Sequence, residues 1–154
     1  MGMSRTQNYL ASYRMHRAAL QDLYAALPEG QGEFSAWEGG MNFIGLADHL
    51  SGSAARTLAL AQGQAPAAPG SVSPSSDLNE ARGRLASSTE QMTAFIAPLS
   101  DDDLSRTVTA FGGRQMPIST LLDFNINHEA HHKGQAWMMA RMLGITPPMF
   151  IKLG

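Results

Sequence analysis

Three of the chain's five histidines, His128, His131 and His132, fall within five residues of one another in the stretch "NINHEAHHKGQAWMMARMLG", residues 125–144. Neutral imidazoles are ligands for Zn²⁺ and related divalent ions, and two of them one helical turn apart can hold the same ion. His128 and His132 have that i, i+4 spacing. At 100° per residue, His132 lies about 40° from His128, with Gln135, Leu121 and Met139 about 20° away and Phe124 and Met142 about 40° away. The pair therefore points into an apolar stripe. His131 sits on the stripe's edge, about 100° from His132, and does not easily serve the same point.

Two imidazoles alone bind a metal weakly, so a third ligand has to come from another element. His49 is the candidate. On a helix, Asn42, Ser53 and Arg56 fall within about 40° of it, forming a polar seam beside the more apolar side of Phe43, Leu50, Ala54 and Ala61. A seam of this kind lines a cavity between helices, which makes Asn42, Ser53, Arg56, Gln135 and Met139 the candidate substrate-pocket residues. Three neutral histidines leave coordination positions open to water or substrate, whereas closed structural sites normally show four ligands and usually thiolates. His16, between Tyr13 and Leu20, has nothing chelating near it in sequence. Periodicity alone is equally compatible with a hydrogen-bonded polar seam at the cluster, and His49 and His16 taken singly fit as packing histidines. Arg56 and Asn42 likewise fit as surface groups, and Met138, Met139 and Met142 as core filler.

Apolar residues recur at three- and four-residue steps in four long windows, which predicts an all-α four-helix bundle. The first covers residues 4–27, with Leu10, Tyr13, Leu20, Leu23, Tyr24 and Leu27 as its stripe and Pro28-Glu29-Gly30 as its stop. The second covers residues 42–62. The text "QGQAPAAPGSVSPSS", residues 62–76, is a linker with no periodic face to bury, long enough to cross the bundle from end to end. A third helix begins at the N-cap Asp77 and closes at Pro98. Residues 100–117 read as a short irregular connector, with an extended piece at 107–111 turning at Gly112-Gly113. The fourth window covers residues 118–143, ends on Gly144 and is followed by Pro147-Pro148. Trp137 lies opposite His128 with Ile126 and Ala130, a second apolar stripe that is either flanked within the bundle or buried in a dimer interface. Gly134 inside a helix implies close approach of another backbone.

A length of 154 residues fits one domain over residues 1–154. With 11 Lys and Arg against 13 Asp and Glu, there is no basic excess for nucleic-acid binding. The absence of cysteine removes disulfides, thiolate zinc sites and a cysteine nucleophile from this chain, so any thiol chemistry needs an external thiol. No window approaches the ~20 apolar residues of a membrane span and the N-terminus lacks a signal-peptide core. The expectation is a soluble, cytoplasmic protein.

"HEAHHKGQ", residues 128–135, followed by "RMLGITPP", residues 141–148, resembles the DinB/YfiT-like superfamily, whose last long helix reads His-x-x-x-His-Arg-Gly-Gln before Leu-Gly-x-x-Pro-Pro. "IGLADHLSG", residues 44–52, is similar to that family's first ligand segment, and "LSDDDLSRTV", residues 99–108, to the loop before its ligand helix. The resemblance implies a four-helix bundle, commonly a homodimer, with His49, His128 and His132 as metal ligands and His131 and His16 outside the ligand set. Lys133 stands where the family usually has arginine, which keeps the charge and loses the planar fork. Members include enzymes that use low-molecular-weight thiols.

The functional expectation is a metal-dependent S-transferase in which the three histidines hold Zn²⁺ or Ni²⁺ and an external thiol, its pKa lowered from about 8.5, attacks a small electrophile. The alternatives are a hydrolase in which water replaces the thiol, and a non-catalytic stress protein that binds metal or a small ligand. Glu129 and Asp48 each lie about 100° off the ligand faces, which weakens hydrolysis by leaving no inward carboxylate as general base.

Overall fold

The computed structural model describes residues 2–154. Four long helices dominate: α1, Arg5–Ala26; α2, Phe43–Ala61; α3, Leu78–Ile96; and α5, Ile118–Met142. Their ends follow from the sequence chemistry. Ser4 and Gln7 form a reciprocal capping box on α1, Asn42 accepts from Gly45 N–H at 2.7 Å on α2, and Asp77 accepts from Glu80 N–H at 2.8 Å on α3. At the other end of α5, Gly144 takes φ +76°, and the bonds Ile145 N–H to Ala140 O and Gly144 N–H to Arg141 O satisfy the last carbonyls. Gly63 closes α2 in the same way, at φ +70°.

The order around the bundle is α1, α3, α2, α5. Arg82 of α3 donates to Tyr24 O near the end of α1 and Thr6 near its start donates to Leu99 O, so α1 and α3 are antiparallel. Thr57 meets Asn125 and His49 meets His128, so α2 and α5 are antiparallel as well. Asp48 near the start of α2 faces Arg84 near the start of α3, so these two helices run parallel, and the linker crosses the bundle to permit it. Residues 63–76 can extend to about 46 Å, ample for the ~28 Å length of α2. The return is pinned where Asp48 accepts from Ser75 N–H at 2.7 Å and from its hydroxyl at 2.6 Å.

The connector before the last helix is more regular than an irregular loop. Ser100 caps a short helix α4, Asp101–Ser105, and strands β1, Thr107–Ala110, and β2, Arg114–Pro117, pair antiparallel around Gly112 and Gly113 at φ +64° and +80°. Val108, Ala110 and Met116 pack onto the bundle end, and Arg106 O accepts from Ile118 N–H, taking the place of a side-chain cap on α5.

The buried apolar residues form two clusters. One is built around Leu20, Leu23, Tyr24, Phe43, Leu50 and Leu85, the other around Tyr13, Ala54, Met92, Ile96, Ile118 and Leu121. Between them lies a polar layer in which Arg17, at 0% exposure, meets Glu129, at 1%. Glu129, off the ligand face as its helical phase predicts, is thus buried. Two expectations change. Phe124 and Met142, in phase with His128, are 51% and 54% exposed, because that side of α5 meets a cavity and solvent. Nothing within the described residues lies near the place of a Cβ on Gly134, so no backbone approaches there. The stripe of Trp137 is covered by the chain's own C-terminal segment, to which its Nε1 donates at Pro148 O, 3.1 Å.

Candidate metal centre

α2 delivers His49 and α5 delivers His128 and His132, and one ring nitrogen from each lies within 4.8 Å of the others. His49 Nε2 and His128 Nε2 are 3.0 Å apart. Ligand nitrogens held about 2.0–2.1 Å from one tetrahedral ion stand roughly 3.3 Å from each other, so His49 and His128 already stand near chelating distance, with a His132 nitrogen within 4.8 Å of both. His49 is exposed, His128 partly buried and His132 buried, so the cluster is rooted in the bundle and open on one side.

The protonation chemistry fits a metal as well. Desolvation, followed by the neighbouring His132, His49 and His131, lowers the His128 pKa to about 4, which keeps its ring neutral and its lone pair free at neutral pH. The His49 pKa is lowered first by desolvation and then by His132 and Arg56. His132 Nδ1 lies 2.7 Å from Gln135 Oε1. An amide oxygen only accepts, so Nδ1 carries the hydrogen and Nε2 is left as the donor atom for an ion.

The groups flanking the triad are occupied. Both Asp48 oxygens accept from Ser75, and Glu129 forms a fork with Arg17, whose Nε donates to Oε2 at 3.0 Å. The same guanidinium reaches Leu85 O and Ser88 Oγ on α3 and Leu50 O on α2. Burial, the largest single influence, lowers the Arg17 pKa, but the Glu129 charge, the hydrogen bonds to Glu129 and the nearby Tyr13 together outweigh it and raise it. Neither residue was singled out as buried from sequence. The available signal was phase: Arg17 repeats with Tyr13, Leu20 and Tyr24, and Glu129 with Leu122 and Ala136. His131 is exposed, its ring packed edge-on against His132. His16 lies away from the triad and accepts from Lys133 Nζ at 2.8 Å. Lys133 also donates to Phe150 O and faces the rings of Trp137 and Phe150, serving as a point donor, in keeping with the loss of arginine's planar fork at this position.

A cavity of about 770 Å³ opens beside the triad, with His49 and His128 in its wall. Ser53 and Arg56 line it too, together with Thr57 and Asn125. Residues 66–72 of the crossover linker form the facing wall. Asn42 is the N-cap of α2, Gln135 orients His132, and Met139 is buried in the core at 2% exposure; none of the three lines the cavity.

No helix among the described residues is long and apolar enough to cross a membrane. A 38-residue segment is 47% identical to YrdA, an uncharacterized protein of Bacillus subtilis strain 168, and spans 25% of this chain and 23% of YrdA. The fold matches a DinB-like protein of Bacillus subtilis at a TM-score of 0.77 and 22% identity, covering 94% of this chain and 98% of the other. It also matches a DinB-like protein of Bacillus cereus at 0.78 and 21%, covering 91% and 93%. YfiT from Bacillus subtilis, described as a probable metal-dependent hydrolase with an unusual four-helix bundle topology, aligns at 0.72 and 16% over 94% and 92%. The sequence pattern of the DinB superfamily matches residues 12–136, and the chain belongs to the DinB superfamily.

Proposed function

We propose that this protein is a divalent-metal-dependent enzyme in which His49, His128 and His132 hold the ion and a small external thiol reacts with an electrophile seated in the adjacent cavity. The observation that carries the reading is the convergence of three imidazoles from two helices at the wall of a cavity of about 770 Å³. When bound, a divalent ion such as Zn²⁺ or Ni²⁺ lowers the pKa of a coordinated thiol from about 8.5 and raises the thiolate fraction at neutral pH.

The chain's own residues bind and orient. Gln135 fixes the His132 tautomer, desolvation keeps His128 neutral, and the cavity walls hold the electrophile next to the triad. Sulfur forms the new bond to carbon, the leaving group departs with the electron pair of the bond that breaks, and the thiol proton passes to solvent. Three features favour a thiol over water. The chain carries no cysteine to compete for the ion, and Asp48 and Glu129 are both committed to partners, so neither serves as the general base that hydrolysis favours.

The hydrolase reading rests on the likeness to YfiT, described as a probable metal-dependent hydrolase. One assay separates the two: product formation from 1-chloro-2,4-dinitrobenzene and from 4-nitrophenyl acetate by metal-loaded protein, with and without a panel of small thiols. The thiol reading expects turnover only with thiol and its loss in His128→Ala. Ester cleavage without thiol that is lost in the same variant favours hydrolysis, and equal rates in wild type and variant overturn both.

A further inference from the structure

The cavity beside the triad has a chemical asymmetry. Its charged lining groups are Asp48 and Arg56. Asp48 is held by partners in place: both oxygens accept from Ser75 and one also faces Arg84 at 3.5 Å. Arg56 is exposed and enters none of the ion pairs among the described residues. One uncompensated positive charge therefore sits on the wall, two turns of α2 beyond His49, about 10 Å along the helix axis at 1.5 Å per residue.

The wall also carries large apolar side chains that are unusually exposed. Phe111 of the hairpin turn, Phe124 of α5 and Val72 of the linker are 44%, 51% and 66% exposed, and all three line this cavity. The two phenyl rings meet edge to face with centroids 5.9 Å apart. Three elements thus bring large apolar side chains together at one opening without covering them, the pattern of a site that buries an apolar ligand.

We propose that the cavity takes an amphipathic carboxylate: an apolar body against Phe111, Phe124 and Val72, a carboxylate on Arg56, and a reactive end about 10 Å away at the triad. The position of the reactive end rests on the proposed metal site; the seating of the apolar body and the anion does not. Arginine suits this task because its planar fork binds a carboxylate through two parallel hydrogen bonds and stays charged at every physiological pH.

The test titrates metal-free protein by ligand-observed NMR with three probes that differ only in the head group: 6-phenylhexanoate, 6-phenylhexan-1-ol and 6-phenylhexylamine. Without metal, a carboxylate cannot gain affinity from an ion at the triad, so failure here is separate from failure of the metal reading, which the metal content of the reconstituted protein reports. Wild type is expected to bind the carboxylate at least ten-fold tighter than the alcohol, with the amine weakest. Arg56→Gln should reduce that preference to near unity, Arg56→Lys should keep part of it, and Phe124→Ala should weaken carboxylate and alcohol alike. Equal binding of carboxylate and alcohol by wild type overturns the proposal, as does a preference that survives Arg56→Gln or affinities unchanged by Phe124→Ala.

Discussion

Arg17 and Glu129 meet as a fork in the centre of the bundle, both essentially without solvent exposure, and each of their contacts on α2 and α5 is one residue from a histidine of the triad. Arg17 Nη2 faces Leu50 O, next to His49, and Glu129 follows His128 directly in sequence. Leaving one member of a buried pair unpartnered costs about 3 to 5 kcal/mol, so Arg17→Met is expected to lower stability to urea by that order. Arg17→Met combined with Glu129→Leu should recover most of the loss. A double variant as unstable as the single one would contradict this account of the polar layer.

Gln135 acts on the site through His132. Removing such an orienting partner typically lowers metal affinity 10- to 100-fold. Gln135→Leu is therefore expected to weaken Zn²⁺ binding in a competition titration by that range while leaving the melting temperature of the metal-free protein nearly unchanged. Affinity equal to wild type would show that the 2.7 Å contact to His132 Nδ1 does not orient the ring for an ion.

The depressed pKa of His128 sets a direction for pH dependence. With about 4 in the folded protein against the ordinary 6.5, the unfolded chain binds the proton more readily than the folded one. The contribution to stability is therefore full above about pH 6.5 and is lost as pH falls towards 4. Urea midpoints of metal-free protein measured from pH 7.5 to 4 should fall across this interval, and less steeply in His128→Gln. Identical slopes in the two proteins would contradict the assignment.

Lys133 ties the C-terminal segment to the bundle. It donates to His16 Nδ1 and Phe150 O, while Lys152 N–H donates to Met15 O at 2.9 Å. Lys133→Met should raise amide hydrogen exchange over residues 145–152 while the core of α5 stays protected. Unchanged exchange in that segment would show that Trp137 and the Lys152 contacts hold it without the lysine.

The bundle was legible because its signals are local. The cap at Asp77, the stop at Gly144 and the 3.6-residue stripes each depend on residues within a turn or two, and the crossover was readable from the length and composition of residues 62–76. The juxtaposition of His128 and His132 was legible for the same reason, since i, i+4 spacing fixes their relative direction on a helix. What escaped depends on tertiary partners. Arg17 and Glu129 are 112 positions apart, and a charged side chain on an apolar stripe reads as a flaw until its counterpart is placed opposite. Trp137 gave a clear second stripe, but only the folded-back tail decides that Pro148 covers it. The helix-wheel angle of Phe124 put it inward, yet its side of α5 faces a cavity. Asn42, Gln135 and Met139 shared the ligand faces in projection, but Asn42 caps α2, Gln135 is engaged by His132 and Met139 is buried in the core.

The most direct test of the central claim is the metal content of the protein purified without chelators and then reconstituted with Zn²⁺ or Ni²⁺, compared across histidine variants. About one ion per chain is expected in wild type, as three imidazoles on one point require. Loss of that ion is expected in His49→Ala, His128→Ala and His132→Ala, and its retention in His131→Ala and His16→Ala. A wild-type protein that remains metal-free after reconstitution, or a His49→Ala variant that binds as wild type does, would contradict the claim.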